Sequence, residues 1–370
     1  MLKRNIDRPL PLIRIVLGAI FLIFALYHGV AAKAQETKRS TTDETSHAAR
    51  EASPPGFTER FADVNGVRLH YLIGGKGSPV VLLHGYAETG HMWLPILPLL
   101  AQHHTVIVPD LRGAGGSSKP ETGYTKKNMA ADIHQLMDTL GLERVSMVGH
   151  DIGLMVAYAY AAQFPQATER LVLMDAFLPG IGNWKEVWLM RDLWHFHFYG
   201  EVPLALVKGR ERTYFEHFWN DFAADPKHSV PESDRRLYAR EYAQPGGMRA
   251  GFEYFKAFAQ DAIDFEALAK TKLSMPVLVL TGEKASGTFL IEQARLVATD
   301  VKGVIITGSG HWLMEEAPNQ VIPQLLTFLN AKGAGEATSL ERLKPTEMGA
   351  LPPGSFYTEP SNQAHFAETR

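Results

Sequence analysis

The segment GHDIG, residues Gly149–Gly153, decides the fold of this chain. It follows the apolar run RVSMV and precedes LMVAYAYAAQF, a pattern that predicts a buried strand, a sharp turn and then a helix. Its two glycines let neighbouring backbone segments approach closely around a strained turn. The nucleophile in such a corner is usually the serine of a G-x-S-x-G motif, which occurs nowhere in this sequence. Asp151 takes the central position instead, and capping of the following helix is its alternative role.

Strands and helices alternate on both sides of this corner. Short buried strands are predicted at residues 79–85, 105–113, 170–176 and 276–283, with helical patterns between them. Short connections between alternating elements predict a mostly parallel sheet that is covered by helices on both faces.

The alternation is interrupted once along the chain. Residues 178–270 keep helical patterning without strand signals, which predicts a helical cap inserted into an α/β core of residues 57–177 and 271–332. The cap is rich in aromatic residues, and most of these are expected to form its own core, while a minority line an apolar substrate pocket.

Both termini carry segments that we exclude from the folded core. A basic start, an apolar run at residues 15–27 and the small-x-small pattern of residues 32–34 predict a signal peptide over residues 1–34. Export to the periplasm or the medium would follow, without stable membrane association after cleavage. An uncleaved membrane anchor is the alternative, although the run is shorter than the roughly 20 residues of a spanning helix. Residues 35–56 and 333–370 are polar and aperiodic, which predicts a disordered spacer and tail.

Composition excludes several classes of function. The sequence has no cysteine, so disulfides, thiol catalysis and thiolate metal sites are excluded. The formal net charge of −3 gives no electrostatic reason to expect nucleic acid as a partner. The pair His195 and His197 has no accompanying cluster of further ligands, so we expect no metal and no cofactor.

Candidate partners for Asp151 follow later strands. His311, in GSGHW after the last predicted strand, is the candidate base, and Asp175 and Glu283 are two candidates for the acid that orients it. The order nucleophile, acid, histidine is the one used by the fold that carries G-x-S-x-G corners. The backbone N–H groups of Tyr86 and Ile152 are the candidate oxyanion donors.

An aspartate at this corner selects a particular chemistry. A carboxylate is ionised at neutral pH and can attack saturated carbon without a base, which forms an alkyl ester on the enzyme. Water activated by His311 would then hydrolyse that ester while the oxyanion donors hold the developing charge. This favours an epoxide or organohalide substrate over an ordinary ester. A non-catalytic binding protein is a further alternative, but it would not require Asp151, Asp175 and His311.

From about residue 57 to residue 330 the chain resembles the α/β-hydrolase superfamily, in its branch of epoxide hydrolases and dehalogenases. It is most similar to secreted bacterial epoxide hydrolases of the Cif type. The matching stretches are VVLLHGYAETGHMW, VIVPDLRGAGGSSKPETGY, GHDIG, LVLMDAFLPG, LWHFHF, YAREYAQP, GFEYFKAF and GHWLMEEAP. The resemblance implies a mostly parallel eight-stranded sheet, opening of an epoxide to a vicinal diol, and a small apolar epoxide or organohalide as substrate. It also implies Asp175 as the orienting acid and His195 as a ligand of the epoxide oxygen or halide. A homodimer is left open.

Two positions depart from the pattern of these relatives, and a third distinguishes the chain from one group of dehalogenases. Ala87 replaces a common proline in the oxyanion loop, where the backbone donor is kept. Phe255 stands where the cap tyrosine that protonates the epoxide oxygen usually stands, so Tyr254 and Tyr242 are the alternative donors to the substrate. Fluoroacetate-type dehalogenases carry an arginine directly after the nucleophile, and Ile152 at that position disfavours a carboxylate substrate.

Overall fold

An eight-stranded, mostly parallel sheet forms the centre of the molecule. The computed structural model describes residues 53–331. The strands are β1 (Phe57–Val64), β2 (Val67–Gly75), β3 (Ser78–Leu83), β4 (His104–Pro109), β5 (Val145–His150), β6 (Thr168–Met174), β7 (Val277–Gly282) and β8 (Val301–Ile306). Their order is β1-β2-β4-β3-β5-β6-β7-β8, and only β1 with β2 and β2 with β4 are antiparallel. The predicted fold class is confirmed.

Helices cover both faces of this sheet. The helices are α1 (Leu97–Leu100), α2 (Lys126–Thr139), α3 (Ile152–Gln163), α4 (Trp184–Trp188), α5 (Glu201–Val207), α6 (Glu211–Asp221), α7 (Glu232–Tyr242), α8 (Gly247–Lys256), α9 (Phe258–Leu268), α10 (Phe289–Val297), α11 (Leu313–Glu316) and α12 (Pro318–Leu329). Short 3₁₀ segments lie at Gly90–Trp93, Pro165–Ala167 and Arg191–His197. Strands β5 and β7 are buried along their whole length, as expected for strands covered on both faces.

The side chains of the central strands alternate between two hydrophobic clusters. Val81, Leu83 and Met147 belong to the larger cluster, which continues through α3 and the helices between β6 and β7. Val80 and Leu82, which alternate with Val81 and Leu83 along β3, pack in the smaller cluster against α1 and α12. The alternation follows from the strand geometry, in which successive side chains point to opposite faces.

All the helices from α4 to α9 lie between β6 and β7, inside the predicted range of the cap, residues 178–270. A fully buried ion pair ties this segment to the core. Lys126 Nζ on α2 lies 2.8 Å from Asp261 Oδ2 on α9, and both side chains have no exposed surface. The Lys126 ammonium also donates to the carbonyl oxygen of Tyr254 at the end of α8 and lies 4.5 Å from the ring centre of Phe258.

Several predictions concern residues that the structure does not describe. The predicted signal peptide, the predicted tail and all but the last four residues of the predicted spacer lie outside residues 53–331, so these stay predictions. Within residues 53–331, no helix combines the length and the apolar character needed to cross a bilayer.

Candidate active site

The turn between β5 and α3 is strained at Asp151, which has φ 50° and ψ −121°. Such a backbone conformation is rare for a residue with a side chain and is held by its surroundings. A Cβ at Gly149 would collide with the backbone of Gly153, and one at Gly153 would collide with the backbone of Leu83. Both glycines of the motif are therefore required by close packing. The Asp151 side chain makes no capping hydrogen bond to α3, so helix capping is excluded as its role.

The Asp151 carboxylate faces a backbone donor and a histidine. Its Oδ1 accepts a hydrogen bond of 2.7 Å from the N–H of Tyr86, and its Oδ2 lies 3.9 Å from Nε2 of His311. Ile152 is the first residue of α3, so its N–H belongs to the first-turn donors that a helix leaves unpaired. Ala87 has φ 61°, a left-handed conformation that a proline could not adopt.

His311 is held from two sides. Its Nδ1 lies 2.8 Å from Oδ2 of Asp175, whose side chain is 2% exposed, and its backbone N–H donates to the carbonyl of Phe222 in the cap. Glu283, the other candidate acid, lies elsewhere, since its Oε2 accepts from the N–H of Gly308 at 2.8 Å. The structure therefore brings Asp175, and not Glu283, to the histidine.

A cavity of about 300 Å³ opens above these residues, and Asp151, Asp175, His311 and Tyr86 contribute to its lining. Its aromatic walls consist of Phe177, Phe196, Phe218, Phe222, Phe255 and Trp312. Met190, Asp192 and Lys284 also line it. The volume is at the lower end of the usual range for small-molecule pockets. The surface of the lining is mainly apolar, but Asp221 and Ser286 add to its polar groups.

His195 is the candidate ligand-binding residue of the cap. It lines the cavity, is 5% exposed, and packs against the rings of Phe218 and Phe255 at centroid distances of 4.8 and 5.1 Å. Its Nδ1 is buried without a hydrogen-bond partner. Burial, assisted by the neighbouring His217, His311 and His197, holds the pKa of His195 well below its usual value. His195 is therefore a neutral hydrogen-bonding group.

Neither predicted tyrosine reaches the cavity, which corrects the expectation for Tyr254 and Tyr242. The Tyr254 hydroxyl donates to the carbonyl of Arg112 at 2.5 Å, and the Tyr242 hydroxyl donates to the carbonyl of Glu88 at 3.4 Å. Both side chains are buried and absent from the lining. On α8 one residue is a rotation of about 100°, so Phe255 faces the cavity while Tyr254 faces the core.

A buried polar group that was not predicted from the sequence lies behind the histidine. Glu88 is fully buried, and its Oε2 lies 3.0 Å from Nδ1 of His150, whose Nε2 donates to the carbonyl of His311 at 3.0 Å. Burial raises the pKa of Glu88 to about 8, against the opposing effect of His311. The only sequence signal is an acidic residue two positions after Tyr86 in an otherwise buried stretch. Among residues 53–331, no group of three or more histidines and carboxylates is arranged to hold a metal ion.

Comparisons with known proteins identify relatives of this chain in sequence and in fold. Residues 78–318 match the family described as alpha/beta hydrolase fold. The soluble epoxide hydrolase of Corynebacterium sp. strain C12 is 34% identical over 281 residues, covering 74% of this chain and 97% of that protein. The fluoroacetate dehalogenase of Burkholderia sp. is 29% identical over 296 residues, covering 76% and 96%. The Cif epoxide hydrolase structure from Acinetobacter nosocomialis has a TM-score of 0.69 at 27% identity, covering 75% and 90%. The predicted resemblance to this branch is confirmed.

Proposed function

Because the chain belongs to the alpha/beta hydrolase fold family, we propose that it opens an epoxide to a vicinal diol through a covalent ester on Asp151. The similarity to a soluble epoxide hydrolase supports this choice. The observation that carries the proposal is an aspartate, rather than a serine, at a strained strand-to-helix turn beneath an apolar cavity. Ile152, which follows the nucleophile, offers no charge to hold a carboxylate substrate.

In the first step a carboxylate oxygen of Asp151 attacks an epoxide carbon, and the carbon–oxygen bond of the ring breaks. The Tyr86 N–H, 2.7 Å from Oδ1, orients the carboxylate and leaves Oδ2 to face the cavity. The epoxide oxygen needs a hydrogen-bond donor as it leaves its carbon, and His195, a cap residue that lines the cavity, is the candidate. Water supplies the proton that converts the resulting alkoxide to a hydroxyl. The product of this step is an alkyl ester on Asp151.

In the second step water attacks the carbonyl carbon of that ester. A gap of 3.9 Å separates His311 Nε2 from Asp151 Oδ2, so the histidine is close enough to take a proton from a water molecule at the ester. Asp175 stabilises the imidazolium that forms. The N–H groups of Tyr86 and Ile152 would hold the negative carbonyl oxygen until the diol leaves.

Hydrolysis of an organohalide by the same two steps is the second candidate. The observation that favours it is Phe255 in the cavity wall, with the hydroxyls of Tyr254 and Tyr242 bound elsewhere. A departing halide needs no proton, whereas an epoxide oxygen does. The similarity to a fluoroacetate dehalogenase supports this candidate as well.

The test is His311→Gln incubated with styrene oxide or bromoethane. Attack by Asp151 needs no base, so the variant should consume one equivalent and then stall, with an adduct that intact mass detects and peptide mapping assigns to Asp151. His228→Gln is the matched control, because the His228 side chain is 81% exposed, and this variant should turn over normally. In heavy-oxygen water a single turnover of the unmodified protein should leave label in Asp151. Label in the product alone, together with no adduct in His311→Gln, would mean direct attack by water and would refute the proposal.

A further inference from the structure

The loop after β7 organises the histidine without supplying its acid. Glu283 accepts a hydrogen bond from the N–H of Gly308, in the turn that leads to His311. The backbone N–H of Lys284 donates to the carbonyl of Ser309 at 3.0 Å. These contacts bind the loop to the turn that carries the histidine.

The far end of the same loop contacts the acid. The Ser286 hydroxyl donates to Oδ1 of Asp175 at 2.5 Å, and the Ser286 N–H donates to the same oxygen at 3.2 Å. The N–H of Gly282 is a third donor to Oδ1, at 3.0 Å. Ser286 is 8% exposed and Asp175 is 1% exposed, so water competes little for these bonds. Three donors on Oδ1 leave Oδ2 for the single bond to Nδ1 of His311.

Building on the proposed function, we infer that Ser286 is a positioning residue for hydrolysis of the ester and takes no part in its formation. The Ser286 hydroxyl fixes the rotation of the Asp175 carboxylate. The backbone of Asp175 has φ 29°, so this residue, like Asp151, lies in a strained turn. A hydroxyl that donates to an ionised carboxylate also forms one of the stronger classes of hydrogen bond.

The assignment to one step follows from the movement of protons. During ester formation the Asp151 oxygen bonds to carbon and no proton passes to His311. During hydrolysis a water proton passes to Nε2 of His311, the water oxygen bonds to the aspartyl carbonyl carbon, and the carbonyl electron pair moves onto oxygen. When that pair returns, the bond between the carbonyl carbon and the alkoxide oxygen breaks, and the imidazolium gives its proton to the leaving alkoxide. Only this second step creates an imidazolium that needs Asp175 in the correct orientation.

The experiment is single-turnover kinetics of Ser286→Ala with styrene oxide, with formation and decay of the ester followed by rapid quench and intact mass. Decay should slow by about tenfold or more, a usual consequence of losing a hydrogen bond to a charged group. Formation should stay within about twofold. In the steady state kcat and KM should fall together while kcat/KM is unchanged, because kcat/KM contains only the steps up to ester formation.

Thr281→Val is the matched control, because the Thr281 hydroxyl is buried on β7 just before the loop and has no hydrogen-bond partner. Both of its rates should equal those of the unmodified protein. Ser286→Thr keeps a hydroxyl and should hydrolyse the ester faster than Ser286→Ala. Equal decay in Ser286→Ala and the unmodified protein, or equal losses in the alanine and threonine variants, would overturn the inference alone. Absence of any ester in His311→Gln would instead overturn the proposed function.

Discussion

Replacing Lys126 with methionine should strongly destabilise the protein. The ammonium group of Lys126 pairs with Asp261 and donates to the carbonyl of Tyr254, which is one of the last carbonyls of α8 and lacks a partner within that helix. Methionine fills similar space, so the change removes the charge and its hydrogen bonds without leaving a large void. The Asp261 carboxylate would keep one hydrogen bond, from the backbone N–H of residue 126 at 2.7 Å.

The magnitude follows from complete burial of both partners. Burial lowers the pKa of Lys126 and raises that of Asp261, and each partner opposes the shift in the other. Removing one partner of a buried pair leaves an uncompensated group and costs about 3–5 kcal/mol. We expect a loss of this size in the free energy of unfolding. Neutralising the other partner as well, in Lys126→Met/Asp261→Asn, should recover most of the loss, since Asn keeps an acceptor for the backbone N–H.

Urea unfolding followed by circular dichroism measures these differences. Lys127→Met is the control, because Lys127 is the exposed neighbour on the same helix, and it should stay within about 0.5 kcal/mol of the unmodified protein. If Lys126→Met were as stable as Lys127→Met, the ion pair could not be what fastens α8 and α9 to α2.

Two further substitutions address the cavity and the group behind it. Phe255→Tyr should supply a phenol at the cavity wall and speed ester formation with styrene oxide by about 10²–10⁴-fold, while bromoethane, measured with the same variant, should gain nothing. Equal gains for both substrates would show that proton donation is not the cause. Burial raises the pKa of Glu88 from a usual 4.5 to about 8, so the folded state binds a proton on this side chain more tightly than the unfolded state does. The contribution of Glu88 to the free energy of unfolding is therefore present below about pH 4.5 and is lost as the pH rises to about 8. Glu88→Gln should therefore become more stable than the unmodified protein over that window, by at most about 5 kcal/mol, as urea unfolding at several pH values would measure. A difference in the free energy of unfolding between the two proteins that is independent of pH would contradict this prediction.

The corner at Asp151 could be predicted from the sequence because its determinants are local. Glycines at two fixed positions, an apolar strand before them and a helix after them lie within about twenty residues. His311 and Asp175 could be predicted because the ends of parallel strands meet at one edge of a sheet. From the residues alone, Glu283 was an equal candidate for the acid that orients His311, since it too follows a strand.

The remaining contacts depend on packing between distant segments. Whether Tyr254 or Phe255 faces the cavity is decided by the rotation of α8, which Lys126 and the carbonyl of Arg112 set from the core. Ser286 and Glu88 show no local signal for their contacts, because each meets its partner across neighbouring strands of the sheet. Sequence periodicity predicts which elements form but not how one helix rotates against another.

The long interruption between β6 and β7 sets the order in which the molecule can be assembled. The first six strands need no later strand in order to pair with one another, and α3 can then place the Asp151 corner against β3. Strand β7 pairs with β6 only after all the helices from α4 to α9 have been synthesised, and it brings with it the backbone and hydroxyl donors that surround Asp175. Such distant pairings form late because a long loop must close before they contribute stability. The chain can therefore form the Asp151 corner early, while the surroundings of Asp175 and His311 are completed only after β7 has joined the sheet.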